Sequence, residues 1–194
     1  MKQFLFTMLA IVFISCGNND SSENSANESE KNVESKNPAQ FNTDFATLLN
    51  NYYHLKDGLV LSNDSTASTV AGFANLLASN ADSLIIDNIA VDSLSKITAK
   101  TYLQSISADA KSLVLEKDLE EKRKSFSTIT ESMYELIRIV RYDQQKVYYI
   151  NCPMAFNDKG ANWLNNTDDI KNPYFGKKML TCGVVNDSLD YRGK

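Results

Sequence analysis

Histidine, tryptophan, proline and cysteine are all scarce in this 194-residue chain, which has one histidine, one tryptophan, three prolines and three cysteines. With His54 as its only histidine, the chain cannot build a zinc site from several imidazoles. It also lacks a Gly-x-x-x-x-Gly-Lys-Ser/Thr phosphate loop, a Gly-x-Gly-x-x-Gly dinucleotide fingerprint and a Gly-x-Ser-x-Gly nucleophile elbow. Because these absences leave catalysis with little support, we expect a non-enzymatic protein.

The charge balance excludes another class of function. The formal net charge is −4 at pH 7, and no cluster of lysine and arginine forms a polybasic patch. Nucleic-acid binding needs a basic face, so we expect no nucleic-acid partner.

The N-terminus has the pattern of an export signal. Lys2 precedes an apolar run over residues 4–14, which is too short to span a bilayer comfortably. The run ends at Phe13-Ile14-Ser15-Cys16-Gly17, which resembles a bacterial lipobox, although leucine is usual where Phe13 stands. We therefore predict a lipoprotein signal peptide over residues 1–15 and a lipidated Cys16 that anchors the protein to a membrane. Plain secretion with cleavage nearby is the alternative.

Two regions of different composition follow. Residues 16–40 are rich in Asn, Ser and Glu and predict a disordered tether after Cys16. Residues 41–194 have the size of one folded domain with its own core.

Apolar residues three and four apart predict four amphipathic helices in this domain. The four seams are Phe45, Leu48, Tyr52, Leu55 and Leu59; Thr66, Val70, Phe73 and Leu77; Ala99, Leu103, Ile106, Ala110 and Leu113; and Leu119, Phe126, Ile129, Met133, Leu136 and Val140. Asp92 and Asp118 are predicted N-caps of the third and fourth helices. Leu94 and Ile97 are out of phase with the third seam, which predicts a kink or a separate short helix before Ala99.

The predicted fold is therefore all-α, an antiparallel four-helix bundle with a C-terminal loop-rich segment that contains one or two short β-strands. The strands are expected at 147–150 and 180–185, and ordered loop is expected between them. Lys56-Asp57 is interpreted as a solvated pair and the charged run 120–124 as a solvated helix face.

The candidate chemistry lies in the C-terminal segment, which holds the two cysteines other than Cys16. Cys152 and Met154 are two residues apart, and Met179 and Cys182 are three apart, spacings that put each pair on one face of a strand or of a helical turn. Two thiols and two thioethers would form a soft site of the kind that selects Cu(I). The alternative is a Cys152–Cys182 disulfide in an oxidising compartment, with both methionines as core residues. A redox switch between the two states is a third interpretation.

Several motifs together resemble an uncharacterised bacterial domain found on small envelope lipoproteins and at the C-terminus of periplasmic adaptor subunits of Cus-type heavy-metal efflux pumps. These motifs are 53–60 (YHLKDGLV), 152–155 (CPMA), 160–164 (GANWL), 172–176 (NPYFG) and 179–183 (MLTCG). The resemblance covers residues 41–185 and includes the structural motif residues Trp163, Asn172, Pro173, Tyr174 and Gly176. The Tyr-x-x-Cys-Pro-Met element is also similar to a short heavy-metal motif, but Ala155 stands where that motif usually has histidine.

The resemblance implies a helical fold and a role in envelope metal handling. We therefore expect a lipid-anchored protein of the Gram-negative cell envelope, most simply at the outer membrane facing the periplasm. Its expected ligand is Cu(I) or another soft metal, held by Cys152, Met154, Met179 and Cys182. Its expected partners are the membrane and a heavy-metal efflux complex. The alternative is an interaction module of an envelope complex, with a Cys152–Cys182 disulfide and no metal.

Overall fold

The structure is a computed structural model that describes residues 35–61 and 67–194. The predicted signal peptide, Cys16, residues 16–34 of the tether and Thr66 lie outside the described residues. Within the described part, no helix combines the length and the apolar character needed to cross a membrane.

Four long helices form the larger part of the described chain. They are α1 (Ala39–Leu61), α2 (Ala67–Ser83), α3 (Ser93–Leu115) and α4 (Leu119–Val140). Each helix packs against the next one in the sequence. α1 begins at Ala39, and Ser35 Oγ already donates to Asp143 Oδ1 at 2.7 Å, so residues 35–40 of the expected tether belong to the packed structure.

The predicted seams are the buried faces of these helices. Phe45, Leu48, Tyr52, Leu55 and Leu59 of α1 are fully buried, and the α3 seam is buried along its whole length. Of the described seam residues of α2 and α4, only Phe73 and Leu119 are half-buried, and the others are buried. The spacing of the apolar residues predicted this core because residues three and four apart lie on one face of a helix, and that face is the one removed from water.

The predicted kink in α3 is wrong. α3 is one continuous helix from Ser93, and Asp92 caps it by accepting from the Ser95 backbone N–H at 2.9 Å. Leu94 and Ile97 are out of phase because they point away from the core and are exposed. Asp118 caps α4 as predicted, accepting from the backbone N–H groups of Glu120 and Glu121.

The C-terminal segment contains a three-stranded antiparallel sheet, so the prediction of one or two strands was too low. Its strands are β1 (Val147–Cys152), β2 (Ala161–Asn165) and β3 (Val184–Leu189), in the order β2-β1-β3. β2 lies where loop was expected. β3 begins only at Val184 because residues 179–182 form a turn in which the Cys182 N–H donates to the Met179 carbonyl at 3.1 Å.

Buried polar contacts attach the sheet to α1 and α4. The Leu164 backbone N–H donates to Tyr52 Oη at 2.9 Å, and Tyr52 Oη lies 2.7 Å from Thr130 Oγ1. Lys56 Nζ donates to Asn165 Oδ1 at 2.7 Å and pairs with Asp57 at 3.0 Å. The interpretation of Lys56 as solvated is therefore wrong: it is buried because it reaches across to β2.

The interpretation of residues 120–124 as a solvated face is also wrong for two of the five residues. Lys122 donates to the Leu113 carbonyl at 2.8 Å, and Arg123 Nε donates to the Pro173 carbonyl at 2.9 Å. Both side chains are buried because they satisfy backbone carbonyls of neighbouring elements.

Candidate functional site

The fold brings Cys152 and Cys182 together. Cys152 is the last residue of β1, and Cys182 lies two residues before β3, the neighbouring strand. Their Sγ atoms are 3.2 Å apart, and both cysteines are free thiols in the structure. Cys152 is fully buried, whereas Cys182 is half-buried, so the pair is reached from the Cys182 side.

Buried Asn172 holds the chain at Leu180 and at Cys182. Its Nδ2 donates to the Cys182 carbonyl at 2.6 Å, and its backbone N–H donates to the Leu180 carbonyl at 2.9 Å. Its Oδ1 accepts from the backbone N–H groups of Tyr174 and Phe175 at 2.8 and 3.2 Å. One amide therefore joins two stretches of loop and fixes the position of the second thiol.

Gly183 allows the Cys182 backbone to pass closely under the sheet. A Cβ atom at this position would lie 2.6 Å from Trp163 Cη2 and 3.2 Å from Ile170 Cγ2. Only glycine fits without a shift of the buried indole. The residue after Cys182 therefore lies against the Trp163 ring of β2, where no side chain fits.

The two thiols influence each other electrostatically. The hydrogen bond with Cys152, together with burial and the charge on a Cys152 thiolate, raises the pKa of the Cys182 thiol. Two thiolates at this separation repel each other in a partly desolvated site. The Cys182 thiol is therefore protonated near neutral pH, and either a bound cation or oxidation would have to displace its proton.

The two methionines are not equivalent. Met179 is half-buried, and its backbone carbonyl accepts from Cys182. Met154 is 45% exposed and lines a groove of about 640 Å³ with Phe156 and Phe175. Among the described residues, neither cysteine lines this groove. The structure thus assembles the thiol pair and places the Met154 side chain in a different surface feature.

No harder ligands surround the pair. Across residues 35–61 and 67–194, no group of three or more His, Cys, Asp and Glu side chains could hold a metal ion. His54 is exposed and stacks on Phe73 with ring centroids 4.8 Å apart. Two thiols without imidazole or carboxylate neighbours fit a soft ion and do not fit a hard one.

The remaining motif residues pack the segment onto the bundle. Tyr174 is buried against Trp163 and against Phe126 of α4, with ring centroids 6.2 and 6.0 Å apart. The Pro173 carbonyl accepts from Arg123, and Gly176 has a φ of 56°, a left-handed conformation that favours glycine.

Sequence reasoning missed the turn that follows the Cys-Pro-Met element. Phe156, Asn157 and Asp158 are three successive non-glycine residues with φ between 53° and 64°. Such backbone is uncommon outside glycine and asparagine and persists only where the surroundings impose it. Only ordered loop was expected here, because local sequence does not specify left-handed geometry at a phenylalanine.

A second missed feature is a polar cluster between α4 and the sheet. Tyr149 Oη donates to Glu131 Oε2 at 2.8 Å, and Asn162 Nδ2 donates to Glu131 Oε1 at 2.9 Å. Burial and the neighbouring Glu131 carboxylate raise the pKa of Tyr149. No spacing in the sequence links these three residues, since they come from three different elements.

Comparison with known proteins gave one match. A family model described as "Protein of unknown function (DUF3347)" matches residues 48–145, about half of the chain. The match covers most of α1 and all of α2, α3 and α4 and ends before Cys152. Neither the curated proteins nor the solved structures gave a match.

Proposed function

The chain belongs to the DUF3347 family of proteins of unknown function, and from that premise we propose that it is a non-enzymatic, lipid-anchored cell-envelope protein that binds or helps to handle a soft metal ion such as Cu(I). The observation that carries the proposal is the 3.2 Å separation of the Cys152 and Cys182 sulfurs. Thiolate is the ligand type that selects Cu(I) over harder ions.

The surroundings of the pair support a soft ion. Cys152 is buried at the end of a strand, and Asn172 and Gly183 hold Cys182 beside it, so little reorganisation is needed to present both sulfurs to one ion. A bound cation would offset the repulsion that disfavours two neighbouring thiolates. Met179 lies in the same turn as Cys182 and is the proposed third, thioether ligand.

The cellular context in this proposal comes from the sequence. A lipidated Cys16 would attach the protein to the outer membrane on its periplasmic side, and residues 16–34 would separate the domain from the lipid. The similarity to efflux adaptor domains makes a heavy-metal efflux complex the proposed partner. We also propose that the four helices run antiparallel, as their short connections favour.

Titration with Cu(I) tests the proposal. The chain from residue 16 onward, carrying Cys16→Ser, is reduced and titrated against a competing Cu(I) chelator, with Trp163 fluorescence as a second readout because it is the only tryptophan. We expect tight binding of one ion that is lost in Cys152→Ser/Cys182→Ser. A Met179→Leu variant tests the thioether, and Met154→Leu is its matched control. Absence of tight binding, or unchanged binding without the two thiols, contradicts the proposal.

A second candidate function is an interaction module of an envelope complex with a Cys152–Cys182 disulfide. It is favoured by the burial of Cys152 and by the position of Met154 in a groove that includes neither cysteine. Closing a loop between residues 30 positions apart stabilises a fold by about 3–4 kcal/mol in the chain-entropy model. Mass measurement after thiol alkylation of the natively purified protein in denaturant, without reductant, decides between the two because buried Cys152 is then accessible: no reactive Cys152 or Cys182 supports the bridge, and two reactive thiols exclude it.

A further inference from the structure

One side of α3 faces away from the core, is uncharged and carries three large exposed apolar side chains. Its large members are Leu94, Ile97 and Leu115, which are 72%, 63% and 80% exposed. All three lie on the side opposite the buried seam. Leu94 and Ile97 are three residues apart, and Leu115 follows Ile97 after five turns of 3.6 residues, so the helix brings them to the same face. We call this row the α3 outer stripe; its members are Leu94, Ile97, Thr101, Gln104, Ala108, Ser112 and Leu115, all exposed.

The α3 outer stripe carries no charge. The lysines beside it are engaged within the chain: Lys100 pairs with Asp87 and Lys111 pairs with Asp82, each at 2.8 Å. The exposed face of α4 is different, since it carries unlike charges at Glu121, Lys124 and Arg138 among others. A polyanion, a polycation or an oppositely charged protein therefore finds no complementary field on α3.

The neighbouring helix extends the same kind of surface. α2 packs beside α3, and its only charged residue is Asp82. Leu76 of α2 is exposed. The C-terminal sheet packs against α4 and α1, and so it lies on another side of the bundle.

A helix of 23 residues is about 34 Å long, and two packed helices are about 20 Å wide. Because α2 has only 17 residues and is about 25 Å long, the two helices together offer a footprint of about 600 Å², at the lower end of the range of about 600–1,000 Å² per partner for stable interfaces.

We propose that this face binds a second copy of the chain, with α3 packed antiparallel against α3 of its partner. The stripe is self-complementary in that arrangement. Around a two-fold axis near Gln104, Leu94 meets Leu115 of the partner subunit, and Thr101 meets Ala108 of the partner subunit. Large side chains then pack at both ends, small ones allow close approach at the centre, and no like charges oppose each other.

Sedimentation velocity on the chain from residue 16 onward, carrying Cys16→Ser, tests the proposal. We expect a concentration-dependent dimer whose dissociation constant rises at least tenfold in Leu94→Glu and, separately, in Leu115→Glu. Both residues are exposed, so circular dichroism and thermal unfolding of the single copy should remain unchanged. The double variant Leu94→Glu/Leu115→Lys should restore dimerisation, because each introduced carboxylate faces an introduced ammonium group across the axis.

Three outcomes would overturn the proposal. The first is a monomer at every concentration tested. The second is a dimer weakened by the control Val185→Glu, on the exposed strand β3, and not by Leu94→Glu, which would place the interface on the sheet. The third is a monomer that sediments with vesicles of phosphatidylcholine and phosphatidylglycerol and loses this binding in Leu94→Glu. That result would assign the face to a lipid surface.

Discussion

The helical bundle and the C-terminal segment (147–189) are held together in different ways. The bundle buries apolar side chains along four seams, and its backbone hydrogen bonds lie within each helix. In the C-terminal segment, single side chains such as Asn172, Trp163 and Tyr174 each connect pieces of chain that lie ten or more residues apart. The stability of the bundle therefore depends on many similar contacts, whereas the conformation of the segment depends on a few residues.

This difference bears on function. A site that must hold two sulfurs 3.2 Å apart needs positions defined by specific contacts, which the loop around Asn172 supplies. A bundle tolerates repacking as long as volume and pattern are kept. The bundle is thus a support, and the segment carries the candidate chemistry.

The largest expected effect is in the bundle. Leu48→Ala removes a fully buried side chain of α1 and should lower the free energy of unfolding by about 2–5 kcal/mol, because a cavity remains. Denaturant unfolding followed by circular dichroism measures it. Leu61→Ala, at the exposed end of α1, is the matched control and should change stability by less than about 0.5 kcal/mol. Equal effects would contradict a core centred on the seam.

Asn172→Ala should cost about 1–3 kcal/mol, because it leaves buried donors and acceptors of the loop unpaired. Its second consequence is local: Cys182 should react faster with a maleimide, since its carbonyl anchor is gone. Asn186→Ala, at an exposed position of β3, should leave the reaction rate unchanged. Unaltered Cys182 reactivity in Asn172→Ala would mean that another contact positions the thiol.

The same substitution at two glycines should have opposite signs. Gly183→Ala inserts a methyl group against Trp163 and should destabilise by about 1–3 kcal/mol. Gly72→Ala, in open space on α2, should stabilise by about 0.5–1 kcal/mol because alanine favours helix. Thermal unfolding of the two variants measures both. A shift of the same sign in both would remove the contrast between the two regions.

The smallest effect is a pH dependence that both regions share. Burial raises the pKa of Tyr142 to about 12 from an unfolded value near 10.0. The folded state then binds more protons than the unfolded state between these values, so stability is full below pH 10 and falls as the pH rises toward 12. Tyr142→Phe should reduce this loss of stability at high pH. Tyr149→Phe should reduce it as well, because burial and Glu131 raise the pKa of Tyr149. If the free energy of unfolding of the unmodified protein does not change as the pH rises from about 10 to about 12, both assignments are contradicted.

The four helices could be predicted from the sequence because helical periodicity is a local signal that repeats over many residues. The interpretation of α3 failed at Leu94 and Ile97, since an apolar residue on the outer side of a helix breaks the period without breaking the helix. β2 was missed because Ala161–Asn165 is short and has no alternating polar pattern: Trp163, Leu164 and Asn165 are all buried.

The candidate site was partly visible in advance. Cys152 and Cys182 were expected either to form a disulfide or to share a soft metal, and the structure places their sulfurs 3.2 Å apart. The different position of Met154 could not be predicted, because it depends on the left-handed turn at Phe156–Asp158 and on packing near α4. Arg123 and Lys56 were predicted to be solvated because their partners, the Pro173 carbonyl and the Asn165 side-chain oxygen, lie far away in the sequence.

By itself, the sequence determined which residues form the helices and which face of each helix is buried, because 3.6 residues per turn convert spacing into a side. It also determined that both cysteines other than Cys16 lie in the last quarter of the chain, together with two of the five methionines. Only the tertiary structure decided that the two thiols meet, that Lys56 and Arg123 are buried, and that the sides of the bundle differ in what covers them. Those outcomes depend on contacts between residues far apart in the chain. Local sequence patterns do not specify such contacts, because the residues meet only when the chain folds.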